Sequence, residues 1–199
     1  CCIADQSADR TVNVYEPNFW NNEYLTSVRE LNRHNKWNSA CHRCQFAEEN
    51  NDWDASHRLF NANRDKLPRH NVPGPNQLTI KLSSVCNLMC THCGPEYSTT
   101  WQQAVKKSPP PVLNPNMHYT NKQEADMEKV KAFFDNIDLS NLEEIYFTGG
   151  ETLLGYSGNL NFKFLEYIAT RIPLENITVL FHTNGTKSIK LASKHEVIS

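Results

Sequence analysis

No apolar run in these 199 residues approaches the roughly 18 needed to cross a bilayer as a helix, so no membrane partner is expected. Charge of one sign is lacking too: 20 Lys and Arg against 22 Asp and Glu leave a net charge of −2. That removes the global attraction by which strongly basic chains bind nucleic acid or acidic membranes, and no nucleic-acid partner is expected. Strand signal is nearly absent from residues 1 to about 70, which are polar and rich in Asn. The first residues carry no signal-peptide pattern, and the chain opens on Cys1 rather than Met, so its true start is expected upstream.

Cysteine, by contrast, is plentiful and clustered. Of seven cysteines, two sit at Cys41 and Cys44 and three at Cys86, Cys90 and Cys93, with Cys1 and Cys2 adjacent at the start. Tight spacing without a secretion signal favours metal over disulfides, and a reducing cytoplasm. The triplet follows a β-branched, apolar run (Leu78, Ile80, Leu82, Val85) that reads as a buried strand over 77–83, so the thiols lie on the loop leaving its C-terminal end. Thiolates are soft ligands for iron–sulfur clusters, zinc or copper. Three on one loop leave a four-site cluster one ligand short, which keeps a place for substrate. At this cysteine content the spacing arises by chance about once in a hundred chains, so it needs support from the rest of the chain.

That support lies downstream. After Cys-x-x-x-Cys-x-x-Cys come Ile145 to Glu151 (IYFTGGE) and Val179 to Thr186 (VLFHTNGT), and the three motifs in this order resemble the radical S-adenosylmethionine (radical SAM) enzymes over about residues 75 to 199. The resemblance implies that Cys86, Cys90 and Cys93 bind three irons of a four-iron four-sulfur cluster, with S-adenosylmethionine chelating the fourth. It also implies that Gly149 and Gly150 meet the ammonium of S-adenosylmethionine and that Glu151 adds a carboxylate contact or orients the loop. His92 then matches a ring position near the adenine, and Thr183 and Asn184 close the third strand end. The implied fold is α/β, the first part of a partial (β/α)6 TIM-type barrel. The family's barrel has about six βα units and this chain about three strands, so the remainder is expected in a longer protein. An electron donor such as flavodoxin or ferredoxin is implied, and a peptide substrate more weakly.

Ahead of that core, Cys1-Cys2, a Trp-containing helical stretch, Cys41-His-Arg-Cys44, Glu48, Glu49 and Ser56-His57-Arg58 resemble the auxiliary-cluster (SPASM or twitch) modules of the same enzymes. This implies a second iron–sulfur cluster on Cys41 and Cys44, with Cys1, Cys2 or both. Read alone, the pair fits a zinc knuckle equally well. A domain so small and polar needs such a staple. The expected layout is a small, mostly irregular or helical module over 1–70, a Pro- and Gly-containing linker over 71–76, and the core over 77–199.

Within the module, Ser27 and Glu30 form a capping-box pattern before Leu31, predicting a helix near 27–34, and a second is expected near 55–65. Residues 97–123, with Pro109 to Pro111, read as an irregular insertion over the active site. An amphipathic pattern predicts a helix over 124–137, followed by a strand at 143–148, a helix at 161–171, a strand at 176–182 and a helix near 188–194. Strand–helix alternation implies a parallel sheet, whose C-terminal edge carries all three motif loops. Two rivals come from other classes: a zinc-stabilised, non-catalytic binding module, and an iron–sulfur electron-transfer protein. Structural zinc wants four ligands, and neither rival gives the Gly-Gly-Glu and Thr-Asn-Gly strand ends a role.

Overall fold

A computed structural model of the chain describes residues 19–56, 59, 74–95, 97–108 and 124–187. It is mixed α/β, with five helices and one three-stranded parallel sheet among the described residues. The chain divides into two compact units: residues 1–74 together with Phe133–Ile137, and residues 75–132 with 138–199.

The first unit contains α1 (Glu23–Arg33) and α2 (His42–Glu49). Helix α1 begins a turn earlier than the capping-box pattern predicts. Asn22 is the N-cap, its side chain accepting from Leu25 N at 2.7 Å, with Glu23 in the first turn. Asn caps as well as Ser, and a first-turn carboxylate suits the helix dipole. Ser27 therefore falls inside the helix, where its hydroxyl donates to the Tyr24 carbonyl. Arg29 ties the helix back to the preceding turn, donating to the Trp20 carbonyl at 2.7 Å with its guanidinium over the Trp20 ring. Helix α2 carries the Cys41–Cys44 pair at its start, a helix that the sequence pattern does not announce. Most of the stretch predicted as a helix near 55–65 lies outside the described residues, as does the one near 188–194.

The second unit is built on β1 (Gln77–Lys81), β2 (Glu144–Thr148) and β3 (Thr178–Phe181), in the order β1-β2-β3 and all parallel. Residue 80 pairs with 147 and 147 with 181, so Ile80, Phe147 and Phe181 share one row of one face. Strict alternation in β2 puts Ile145 and Phe147 fully inside. Against that face lies α5 (Gly155–Ala169), which buries Leu160, Phe164 and Ile168 at four-residue spacing. Phe147 meets the Phe164 ring edge-on at 6.1 Å and stacks on Phe181 at 5.1 Å. Phe147 and Phe164, both fully buried, each contribute on the order of 1.5–3 kcal/mol by leaving water.

Helix α5 starts six residues earlier than its pattern predicts, and α4 (Met127–Asp135) starts three residues later. The reason in α4 is visible: Glu124 bridges to Ser83, and Ala125 N donates to the Leu82 carbonyl, so these residues extend along the end of β1. The largest correction is α3 (Thr99–Lys107), inside the segment read as an irregular insertion. Ser98 caps it by accepting from Trp101 N, and Lys106 and Lys107 complement the dipole in its last turn. No proline interrupts the chain until Pro109; residues 109–123 lie outside the described residues.

Candidate functional site

Because the strands are parallel, the loops after Lys81, Thr148 and Phe181 leave the same edge of the sheet. Cys86, Cys90 and Cys93 occupy the first, all half-buried and none in a disulfide. Helix α3 holds this loop from one side. Thr99 accepts from Cys86 N at 3.1 Å and donates to its carbonyl at 3.0 Å, and Thr100 donates to the same carbonyl at 2.7 Å. Trp101 Nε1 donates to the Cys90 carbonyl at 2.9 Å, and the fully buried Ser98 hydroxyl to that of Leu88 at 2.8 Å. Sequence reasoning missed these four residues. Their signal was the cap pattern of Ser98 just past the third cysteine.

The second loop holds the first from below. Gly150 N donates to the Ser83 carbonyl at 3.1 Å and Glu151 N to that of Val85 at 2.8 Å. A Cβ added at Gly149 would stand 2.4 Å from the Ser83 oxygen, and one at Gly150 2.2 Å from that of Val85. Gly149 also has φ +131, a region closed to most side chains. The two glycines are thus required by backbone packing against the residues that lead into Cys86. The Gly150 N–H is engaged within the fold.

The third loop completes the edge. Asn184 and Thr186 bond to Asn87, and Asn184 Nδ2 lies 3.9 Å from Cys86 Sγ. That sulfur also accepts from Leu88 N at 3.4 Å. Thr183 is half-buried and bonded to Glu151, whereas His92 is exposed on the cysteine loop. On the sheet face away from Phe147, Lys81 pairs in register with Thr148 and its ammonium sits 4.2 Å from the Tyr97 ring centroid. Tyr146 and His182 share a 2.7 Å hydrogen bond on that same face. Eight of the nine positions predicted to bind cofactor or metal in this unit, all but His92, are tied by hydrogen bonds into the three loops or are the glycines between them.

In the other unit, Cys41 and Cys44 are both buried and free, 4% and 3% exposed. Near them in sequence, Ser56 donates to Glu48 at 2.6 Å and is fully buried. Cys1, Cys2, His57 and Arg58 lie outside the described residues.

Among the described residues no three or more His, Cys, Asp or Glu are grouped so as to hold a single metal ion. A multi-iron cluster binds each thiolate through a different iron and does not require that convergence. Donor chemistry is then the relevant test: three soft, uncommitted thiols on one short loop, with N–H donors on one sulfur, suit such a cluster. No helix among the described residues is long and apolar enough to cross a membrane. Compared with family models, characterised proteins and solved structures, the chain finds no match in any of the three.

Proposed function

We propose that the chain is part of a radical SAM enzyme, with Cys86, Cys90 and Cys93 as ligands of a four-iron four-sulfur cluster. The observation that carries this reading is the loop of three free thiols at one sheet edge, bound on both sides by the Gly-Gly-Glu and Thr-Asn-Gly loops. The finer fold that goes with it is the first part of a partial (β/α)6 barrel, extended by strands beyond β3. When bound, the cluster supplies one-electron cleavage of S-adenosylmethionine to methionine and a 5′-deoxyadenosyl radical, which takes a hydrogen atom from substrate.

The chain's own residues do the positioning. Cys86, Cys90 and Cys93 would hold the cluster, and the turn at Gly149 and Gly150, packed against the residues that lead into Cys86, would lie beside bound S-adenosylmethionine. The three cysteines are half-buried and their loop is pinned by five hydrogen bonds to four backbone groups from Ser98 and α3, which would limit water at the cluster. Lys81, Thr148, Tyr146 and His182 form the polar sheet face beside the loops and face the substrate, with a peptide as the class favoured. In this reading the protein is cytoplasmic, takes its electron from a flavodoxin or ferredoxin, and carries an auxiliary cluster at Cys41 and Cys44 with help from Cys1 or Cys2.

The test is anaerobic reconstitution with iron and sulfide. Expected are a brown protein, iron–sulfur absorption reduced but not abolished in the Cys86, Cys90 and Cys93 triple Ala variant, and a change in the reduced cluster's paramagnetic resonance spectrum on adding S-adenosylmethionine. Stoichiometric zinc without iron–sulfur absorption would sink the proposal. A cluster whose spectrum ignores saturating S-adenosylmethionine would leave only electron transfer.

A further inference from the structure

Glu151 is the one carboxylate among the described residues that is essentially sealed from water, at 1% exposure. A buried carboxylate is costly unless its oxygens are met by donors, and three donors meet this one. Leu153 N–H and the Thr183 hydroxyl reach Oε1 at 3.0 and 2.7 Å, and Asn184 N–H reaches Oε2 at 2.6 Å. Two of the three belong to the loop after β3, more than thirty residues on. That loop then reaches one of the thiols: Asn184 Nδ2 donates to Asn87 Oδ1 at 3.1 Å and toward Cys86 Sγ at 3.9 Å. Thr186 bonds both Asn184 and Asn87.

We infer that Glu151 is a positioning residue whose buried carboxylate fixes the Thr183–Asn184 turn and, through it, the N–H donor held on the Cys86 sulfur, so setting the redox poise of the group bound there. Its redox half rests on the proposed iron–sulfur function; its structural half does not. The carboxylate is used up inside the fold, so its role is upstream of any ligand contact. An N–H donor stabilises the more negative, reduced form of an iron–sulfur group, and losing it lowers the potential.

Two measurements on the whole chain test this. In metal-free protein, Glu151→Gln turns one acceptor oxygen into a donor and strands at least one N–H or O–H. Amide hydrogen exchange should then rise at least about fivefold in 183–187 and in 86–94, with α1 and α2 unchanged. Thr183→Val, which keeps the carboxylate, should do the same to a smaller extent if Glu151→Gln does not fold. A rise confined to 151–154, or spread over both units, overturns the clamp. In the reconstituted protein, Glu151→Gln and Asn184→Ala should each lower the cluster potential, and the double variant should go no lower than the lower single. Unchanged potentials or simple additivity overturn the redox role. If the wild type assembles no cluster, the proposed function and the redox role fall together, and hydrogen exchange alone decides the clamp.

Discussion

Gly149, Gly150 and Gly155 are alike in sequence terms but not in what surrounds them. A methyl group at Gly155 meets nothing within 4 Å, though its φ of +51 is left-handed. Gly155→Ala should therefore cost only about 1 kcal/mol, the strain of an Ala at positive φ. Gly150→Ala drives a methyl to 2.2 Å from the Val85 carbonyl oxygen, a backbone atom that cannot rotate away. It should cost about 3 kcal/mol or more, at the upper end for overpacking, and loosen the loop that enters Cys86. Urea unfolding of the two variants side by side checks this; equal losses would mean that the close approach of Gly150 to the Val85 carbonyl costs no more than the positive φ of Gly155. "Gly-Gly" in a sequence states permission for close approach, not what approaches. Here it is the chain's own backbone, and any ligand comes second.

At the scale of elements, α3 is the part that sequence reading mistook for an insertion. It is short, but its cap and first turn place Ser98, Thr99, Thr100 and Trp101 on four backbone groups of the cysteine loop. Ser98→Ala should lose the cap, worth about 1 kcal/mol, and leave the Leu88 carbonyl unpaired at a further cost of about 1–3 kcal/mol. Thermal unfolding should register the sum. Ser108→Ala, past the other end of the same helix and exposed, should change the midpoint little. Trp101→Phe keeps most of the apolar contact and removes only the bond to the Cys90 carbonyl. Its predicted effect is a small loss of stability with lower iron retention after dilution into chelator. Iron retained as in the wild type would show that the ring, not its N–H, is what the loop needs.

For the whole molecule, the two units carry separate thiol sets, one buried pair at Cys41 and Cys44 and one half-buried triplet. If both bind iron, the triple Ala variant at Cys86, Cys90 and Cys93 should retain part of the iron, and adding Cys41→Ala should remove it. Iron analysis with circular dichroism as a folding control decides this. A folded triple variant with no metal would leave the first unit a purely structural module, its helices held by Val28, Ala47 and the buried thiols acting as small hydrophobes.

The strands were legible because each is a short periodic run ended by turn residues: Ile145 and Phe147 alternate with Tyr146 and Thr148, and the pattern alone places them inside. That strand–helix alternation requires parallel strands, and that parallel strands send their motif loops to one edge, is chain connectivity and was determined by sequence alone. Helix ends were less legible, since Asn22 and Ser27 are both good caps and only packing chooses between them. The identity of each partner was not legible at all. Nothing local says that Glu151 would be sealed from water by Thr183 and Asn184, or that Thr99 would bracket Cys86. Those bonds join residues 13 to 33 positions apart. Their geometry exists only once β1, β2 and β3 are in register, because a hydrogen bond depends on ångström-scale placement that residue type and spacing do not encode.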